Sequence, residues 1–324
     1  MQIASIDAQA APDAIGSARP PLRLSHLGVL EVQGPDAGTF LQGQLTQDVL
    51  GMGLDTARAG GYCSAKGRLL GNFVIVRVGE QAWWLVTHAQ LLESLAKRLK
   101  MFVLRAQCTV TALTHKQVIG QTLNHRGVWS VSALADGDPS TTSGCIAIGW
   151  WGGRSLVLQD DDGRPPAQDG APDGDTSLEA WRCEDILAGW PWIEPATVEQ
   201  FVPQMVNFEV LGGVNFRKGC YPGQEVVARS QYRGTLKRRM ALLSAPGEAP
   251  VAGTEIFHSA DPGQPAGMVV NAARLPSSTP TSCRLLAELK LTAWDQGTLH
   301  LGTPEGPMLA LQPLPYRLPT ESEM

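Results

Sequence analysis

The sequence predicts an α+β protein that ends in a small antiparallel β-barrel. Its 324 residues are enough for two or three packed units that share a sizeable core. Over the first 112 residues, predicted strands lead to a helix and then to another strand, without the regular alternation of a parallel sheet. From about residue 236, short apolar runs alternate with turns rich in Pro, Gly and Ser, a pattern typical of a barrel.

The predicted elements follow one another at short intervals. A strand over residues 27–32 leads through the turn "GPD", where Asp36 is a candidate helix cap, into a helix over 37–49. Strands then cover residues 60–78 and 82–87, a second helix covers 88–101, and a strand returns at 108–112. The barrel strands are expected in the runs "MALLS", "GMVVNAA", "RLLAELKLTAW" and "TLHL".

Composition narrows the class of protein. With 18% charged residues and a net charge of -5, the chain as a whole does not attract polyanions. No run approaches the ~18 apolar residues of a membrane helix, and residues 1–20, which lack a basic start and an apolar block, predict a disordered tail. Six scattered cysteines without a CxxC pair predict free thiols, a cytoplasmic location and no metal site within the chain. The sequence does not decide whether Cys220 holds a metal cluster between two protomers.

The segment "RKGCYPGQEVVAR", residues 217–229, is a candidate reactive loop. The stretch 217–239 has seven basic residues and one acidic residue, Glu225. Positive neighbours favour a thiolate, so Cys220 is a candidate nucleophile or redox-active group. Gly223 permits backbone shapes that other residues resist. The alternative is an inert cysteine in a tight turn whose basic neighbours are solvated, and composition does not decide between the two.

Glu184 is a second candidate, because it lies close in sequence to Trp181, Trp190 and Trp192. Tryptophan rings stack on a flat heteroaromatic ligand, and a carboxylate accepts paired N–H bonds from an amino-pyrimidinone edge. In the alternative interpretation, Glu184 pairs with Arg182 or with a distant arginine, and the tryptophans belong to the core.

The motif "KGCYPGQEVVAR" resembles the signature of the YgfZ family, folate-binding proteins related to the glycine-cleavage T protein, an aminomethyltransferase. The resemblance covers roughly residues 22 to 315, and the cysteine motif is specific. Further blocks resemble the family in the same order: "FLQGQLTQDV", "YCSAKGRLL", "RCEDILAGWP", "FVPQMVNFEVLGGVNFRKGCYPGQE" and "RGTLKRRM". With this resemblance, a functional role for Cys220 becomes the favoured interpretation.

The resemblance implies a fold of two intertwined α+β units and a C-terminal barrel around a central channel. The folate-binding α+β region is expected over 21–235 and the barrel over 236–318. The implied function is that of a folate-binding accessory protein that supports assembly or repair of iron–sulfur clusters in client enzymes, including those that methylthiolate tRNA. Its implied cofactor is tetrahydrofolate or a one-carbon derivative. Its implied partners are folate and the client enzymes, and no membrane association is expected.

The resemblance also implies roles for individual residues. Cys220 is the key thiol, and Glu184 resembles the glutamate that holds the pterin in the T protein. The other expected folate-binding residues are Arg182, Lys218, Tyr221, Gln224, Glu225 and Arg229. Three more residues are expected to line the channel: Gln44, Thr46 and Arg68.

One departure bears on enzymatic activity. Aminomethyltransferases place a catalytic aspartate shortly after a glycine-rich turn, where this chain has "GRLLGN", ending at Asn72. An uncharged side chain does not stabilise a developing iminium or manage protons as a carboxylate does. A tetrahydrofolate-dependent aminomethyl or methyl transferase is therefore the alternative function, and turnover is left open.

A third hypothesis is a non-catalytic scaffold that docks a protein or tRNA through the basic segment 217–239. Direct tRNA binding is not expected, because such charge runs are more often solvated or line an anion-binding cavity. The polyglutamate tail of a folate is a candidate anion for such a cavity.

Overall fold

The computed structural model describes residues 21–122, 127–133, 145–161, 178–232, 236–276 and 278–319, so the predicted tail over 1–20 lies outside the described residues. The first elements are β1 (Leu22–Arg23), β2 (Leu27–Gln33), α1 (Ala37–Gln44), β3 (Ala57–Cys63), β4 (Leu69–Gly79), β5 (Ala82–His88), α2 (Leu92–Val103) and β6 (Thr109–Ala112). They are followed by β7 (Lys116–Thr122), β8 (Val131–Ala133), β9 (Ile146–Gly149), β10 (Arg154–Asp160), α3 (Leu178–Leu187) and α4 (Gln224–Tyr232). The last third contains β11 (Arg238–Pro246), β12 (Glu255–His258), β13 (Asp261–Arg274), β14 (Ser282–Lys290), β15 (Leu299–Leu301) and β16 (Met308–Gln312).

The strands form two antiparallel sheets and a closed barrel. Sheet 1 has the order β3-β4-β5-β2-β6, sheet 2 the order β1-β7-β10-β9-β8, and the barrel the order β11-β14-β13-β12-β15-β16. The predicted fold class, α+β with a C-terminal antiparallel barrel, is thereby confirmed.

The two sheets are intertwined because the chain begins in sheet 2, builds all of sheet 1 and then returns. Leu22 of β1 pairs with Gly120 of β7, and the backbone N–H of Leu24 donates to the carbonyl of Val118 at 2.8 Å. Sheet 1 is therefore an insertion between the first and second strands of sheet 2.

Helices α1 and α2 cover one face of sheet 1. Leu92 and Leu95 of α2 lie over Gly28 and Gly71, where any larger side chain would collide with them. Trp83, which the strand register places on the same face, lies against the first half of α1. Both faces of sheet 1 contribute to the main core, which also includes residues of sheet 2 and of α3. A second core fills the barrel.

Two details at α1 differ from the prediction. The helix ends at Gln44 and not near residue 49, because Leu45 turns into extended backbone and bridges to Tyr62 of β3. Asp36 does not cap the helix with its side chain, since its carboxylate accepts the backbone N–H of Gln107 at 2.7 Å. Long-range contacts thus override the local helix signals at both ends.

Helix α3 packs on β13 and β14 of the barrel and connects it to the main core. Among the helices that the structure describes, none is long and apolar enough to cross a membrane.

Candidate functional site

Cys220 lies in an exposed loop that is anchored to α1 by its neighbour Lys218. The Lys218 ammonium donates to the carbonyls of Gln42 and Leu45, the latter at 2.7 Å. These carbonyls belong to the last turn of α1, whose C-terminal groups have no partner within the helix. The cysteine loop therefore caps α1, and Cys220 lies at the C-terminal end of that helix.

The surroundings of Lys218 perturb its charge. Partial burial lowers the pKa of Lys218 to about 8, while the Asp48 carboxylate and the Cys220 thiol oppose this change. Its Nζ atom lies 5.0 Å from the ring centroid of Tyr221, close enough for a cation–π contact. Tyr221 is buried, and burial raises its pKa above the ordinary value, with a smaller contribution from Cys63.

Two glycines lock the cysteine loop against the turn between β3 and β4. Gly223 has φ +78°, and a Cβ atom there would lie 2.4 Å from the carbonyl oxygen of Ser64. Gly67 has φ +71°, and a Cβ atom there would lie 2.8 Å from the Cβ of Val226 and 3.1 Å from the carbonyl oxygen of Gly223. The motifs "YCSAKGRLL" and "KGCYPGQEVVAR" therefore meet in space, which explains why each has a glycine that no other residue can replace without strain.

Helix α4 carries three of the predicted folate-binding residues. Gln224 begins the helix, while Glu225 and Arg229 are exposed and form a loose ion pair at 3.5 Å, one turn apart. On its buried side the helix is bound by Gln204, whose side-chain amide donates to the carbonyl of Val227 at 2.8 Å. The polar face of α4 is thus directed to solvent beside Cys220.

The basic segment does not form one continuous patch in the described part of the chain. Arg238 and Arg239 pair with the buried carboxylates of Glu288 and Glu209, and Lys218 binds backbone carbonyls. Arg233 lies outside the described residues. Several basic side chains that the sequence suggested as an anion-binding group are therefore occupied by partners within the protein.

The residues expected to line a channel have structural contacts. Thr46 is buried, and its hydroxyl accepts the N–H of Gly61 at 2.7 Å and donates to the carbonyl of Gly213. Arg68 donates to the backbone carbonyl of Gln200. Gln44 has a buried side-chain oxygen without a hydrogen-bond partner among the described residues.

Glu184 lies on α3 and pairs with a distant arginine, as one of the two interpretations of the sequence held. Its Oε2 atom lies 3.1 Å from Nε of Arg154, and the carboxylate keeps 29% exposure. The same guanidinium binds the buried Asp185 at 2.9 Å and stacks on the ring of Trp181 at 4.3 Å. Asp185 also accepts the indole N–H of Trp150 at 2.8 Å.

Five tryptophans form a cluster of ring contacts within the main core, namely Trp129, Trp150, Trp151, Trp190 and Trp192. Trp181, Trp190 and Trp192 are at most 5% exposed. Trp190 has ring centroids of four neighbours within 5.5 Å, namely Trp129, Trp150, Trp151 and Trp192. The half-buried members are Trp129 and Trp151.

Asn72 fixes the backbone of this cluster. Its side-chain amide donates to the carbonyl of Pro191 at 2.8 Å, and its oxygen accepts the N–H of Ile193 at 2.9 Å. Asn72 is 1% exposed. A carboxylate at this position lacks the donor for Pro191, so the residue that departs from the aminomethyltransferase pattern has a structural task here.

Arg182 belongs to a polar junction between sheet 1, α3 and the barrel. It pairs with Glu194 at 3.3 Å, and the same carboxylate accepts the side-chain amide of Asn271 at 2.8 Å. His26 and His88 lie nearby with ring centroids 6.5 Å apart. Burial lowers the pKa of His26 to about 3 and also lowers that of His88, so both rings are neutral at pH 7.

The predicted site residues thus fall into two groups. One group, Lys218, Cys220, Tyr221, Gln224, Glu225 and Arg229, follows the cysteine loop into α4; the other, Arg182 and Glu184, lies on α3. Sequence reasoning missed Arg154 and Asp185, although the Glu-Asp pair among tryptophans was a signal that a cation was needed nearby. In the described part of the chain, no three His, Cys, Asp or Glu side chains are arranged to hold a metal ion.

Comparison with known proteins identifies relatives along most of the chain. Residues 22–121 match the GCVT N-terminal domain. The chain is 31% identical to the tRNA-modifying protein YgfZ of Cronobacter sakazakii, over 93% of this chain and 95% of that protein. It is 30% identical to the protein of the same name from Klebsiella pneumoniae, with the same coverage.

A solved structure has the same fold. The aminomethyltransferase T of the glycine cleavage system from Bartonella henselae superimposes with a TM-score of 0.68 at 15% identity, covering 92% of this chain and 86% of that one. At this identity the likeness concerns the fold alone. The identity to the curated relatives over nearly the whole length decides the family: this chain belongs to the YgfZ family.

Proposed function

We propose that this protein supports iron–sulfur enzymes that modify tRNA, including those that methylthiolate it, with Cys220 as the working thiol and a folate as cofactor. The observation that carries the proposal is the exposed thiol held on a rigid loop. Family membership and the names of the relatives as tRNA-modifying proteins support the setting. Free cysteines throughout favour action in a reducing cytoplasm.

The cysteine loop is built to hold the sulfur atom in one place while leaving it accessible. Lys218 ties one side of the loop to α1, and Gly223 ties the other side to the β3–β4 turn. The buried Tyr221 side chain, which follows Cys220 directly, further restricts the loop. A thiol on such a support reaches a group on another molecule without a large rearrangement of its own backbone.

The residues around Glu184 fit a folate head group in their chemistry. The carboxylate is partly exposed and oriented by Arg154, as is needed to accept paired N–H bonds. The half-buried ring of Trp151 offers a flat surface. A bound folate would supply the one-carbon chemistry.

The thiol is tested in cells that lack the native protein. Wild type, Cys220→Ala and the control Cys108→Ala are supplied at matched levels, and methylthiolated tRNA nucleosides are quantified. Because Cys220 is exposed, its replacement should leave the melting temperature unchanged, so loss of the modification reports on the thiol. Equal restoration by Cys220→Ala would reduce Cys220 to a part of a turn and direct attention to Glu184.

Folate binding is tested separately by quenching of tryptophan fluorescence with tetrahydrofolate. Glu184→Gln should weaken binding at least tenfold, because the neutral amide accepts less strongly than the carboxylate. The exposed barrel residue Glu255 provides the control Glu255→Gln. Unchanged affinity in Glu184→Gln would remove Glu184 from the folate site.

The second candidate function, a folate-dependent aminomethyl or methyl transferase, is favoured by the fold that this chain shares with an aminomethyltransferase. Tetrahydrofolate-dependent release of ammonia from an aminomethyl donor, surviving in Cys220→Ala, would establish it. The structural task of Asn72 argues against it. Direct tRNA binding is not part of the proposal, and anisotropy with labelled tRNA at low salt checks this point.

A further inference from the structure

The end of α2 presents an apolar surface to solvent. Met101, Phe102 and Leu104 are 57%, 44% and 87% exposed. They are three of the ten exposed large apolar side chains among the described residues, and they lie within four positions of one another. We call these three residues the α2 patch. Single exposed apolar residues are ordinary, but a group of this kind indicates an interaction surface.

Leu104 also has a backbone conformation that disfavours leucine. Its φ is 41° and its ψ is -95°, and residues with a side chain rarely adopt a positive φ of this kind. Since the side chain is almost fully exposed, packing within this chain does not compensate for the strain. Strained backbone of this kind is concentrated at the functional sites of proteins.

The charges around the patch are positive. Lys97 and Lys100 on α2 and Arg105 beyond its end are exposed. Lysine and arginine at the rim of an apolar centre complement an apolar groove with acidic edges on a partner protein. Three cations on a chain of net charge -5 are fewer than a polybasic membrane segment uses. Aliphatic Met and Leu side chains, in turn, do not suit phosphate contacts of RNA.

The α2 patch lies close to the start of α1, and Cys220 lies close to its end. The turn after α2 joins the start of α1, because Gln107 donates to Asp36 and accepts its N–H at 3.3 Å. The far end of α1 holds the cysteine loop through Lys218. Eight helical residues span about 12 Å. An interface of ordinary size, ~800 Å² on each side, extends well beyond this distance.

We propose that the α2 patch docks the client protein through an acid-rimmed apolar groove and so places its reactive group beside Cys220. This inference rests on the proposed function, since the client is the iron–sulfur enzyme named there. It assigns to Met101, Phe102 and Leu104 the recognition of the client and leaves chemistry to the thiol.

The probe is a purified tRNA-methylthiolating enzyme from the same cells, and binding is measured by biolayer interferometry. The double variant Met101→Ser/Leu104→Gly should bind at least tenfold more weakly, while its melting temperature stays the same or rises because the strain at position 104 is relieved. Val251→Ser, which replaces an apolar barrel residue 77% exposed, is the matched control and should bind as wild type does. Arg105→Glu should slow association and reduce its dependence on salt.

A cellular readout separates docking from chemistry. When the double variant is expressed at a low level it should restore little methylthiolated tRNA, and overexpression should recover the modification by mass action. Cys220→Ala should fail at both levels. If the wild type restores nothing, the proposed function fails. If the wild type restores the modification but the double variant binds the enzyme and restores the modification equally well, the docking proposal is overturned. It is also overturned if the wild type binds phosphatidylserine vesicles or tRNA but not the enzyme.

Discussion

Replacing Asn72 with Asp tests the structural task of this residue with the smallest possible change. The substitution keeps size and shape and preserves an acceptor for the N–H of Ile193. It removes the donor to the carbonyl of Pro191, where two oxygens would then face each other at about the 2.8 Å that now separates nitrogen from oxygen. A protonated Asp restores the donor, whereas an ionised one is buried beside a carbonyl dipole.

The expected cost depends on pH. Burial beside the carbonyl of Pro191 raises the pKa of the new carboxyl above its ordinary ~3.9, so the native state binds more protons than the unfolded chain and stability falls as pH rises above that value. The free energy of unfolding should therefore fall further below that of the wild type at pH 7.5 than at pH 5, and the loss at pH 7.5 should be about 1–3 kcal/mol, the cost of a buried polar group without its partner. Since Asn72 is 1% exposed, solvent screening reduces these values little.

Urea unfolding followed by tryptophan fluorescence measures this cost directly, because Asn72 contacts the backbone on both sides of Trp192. Gln81→Glu is the control, since Gln81 is exposed and the same amide-to-acid change should alter stability by less than about 0.5 kcal/mol. If Asn72→Asp is as stable as wild type at both pH values, the two hydrogen bonds of Asn72 do not hold the cluster and the reasoning is refuted.

Other substitutions test the loop and the α3 junction. The pKa of Lys218 is about 8 in the folded protein and near 10.5 when unfolded, so the wild type should gain stability relative to Lys218→Met as pH rises between these values; a constant difference in urea titrations would contradict this. Arg154→Met leaves the buried carboxylate of Asp185 unpaired and should lower the free energy of unfolding by about 3–5 kcal/mol, whereas Arg229→Met should change it by less than about 0.5 kcal/mol; equal losses would disprove the difference in burial. Gly223→Ala places a Cβ against a backbone oxygen and should lower both the melting temperature and the modification of tRNA, and an unchanged melting curve would argue against this packing.

The parts of the fold that repeat regularly along the chain could be predicted from sequence. Helix α2 and the barrel strands each have a local apolar period, and that period survives in the structure. The end of α1 could not be predicted, because it depends on the bridge between Leu45 and Tyr62. Likewise, Asp36 finds its partner 71 residues away, which no local capping rule contains.

The candidate site divides in the same way. The cysteine loop was recognisable because its residues are contiguous and their motif is specific. The contacts that anchor the loop could not be predicted, because Lys218 binds backbone carbonyls and every residue has one. The partner of Glu184 was equally hidden, because Arg154 lies 30 positions earlier in an unremarkable strand.

The insertion of sheet 1 between β1 and β7 dictates an order of assembly during synthesis. The first pairing of sheet 2 joins Leu22 to Gly120, so it has to wait until β7 has left the ribosome. By then every strand of sheet 1 has already emerged, the last of them ending at Ala112. At about 5–20 residues per second, sheet 1 has its complete set of strands before sheet 2 and the barrel do. The nascent chain therefore builds the inner unit first, and the helix that later supports Cys220 is in place long before the cysteine is translated.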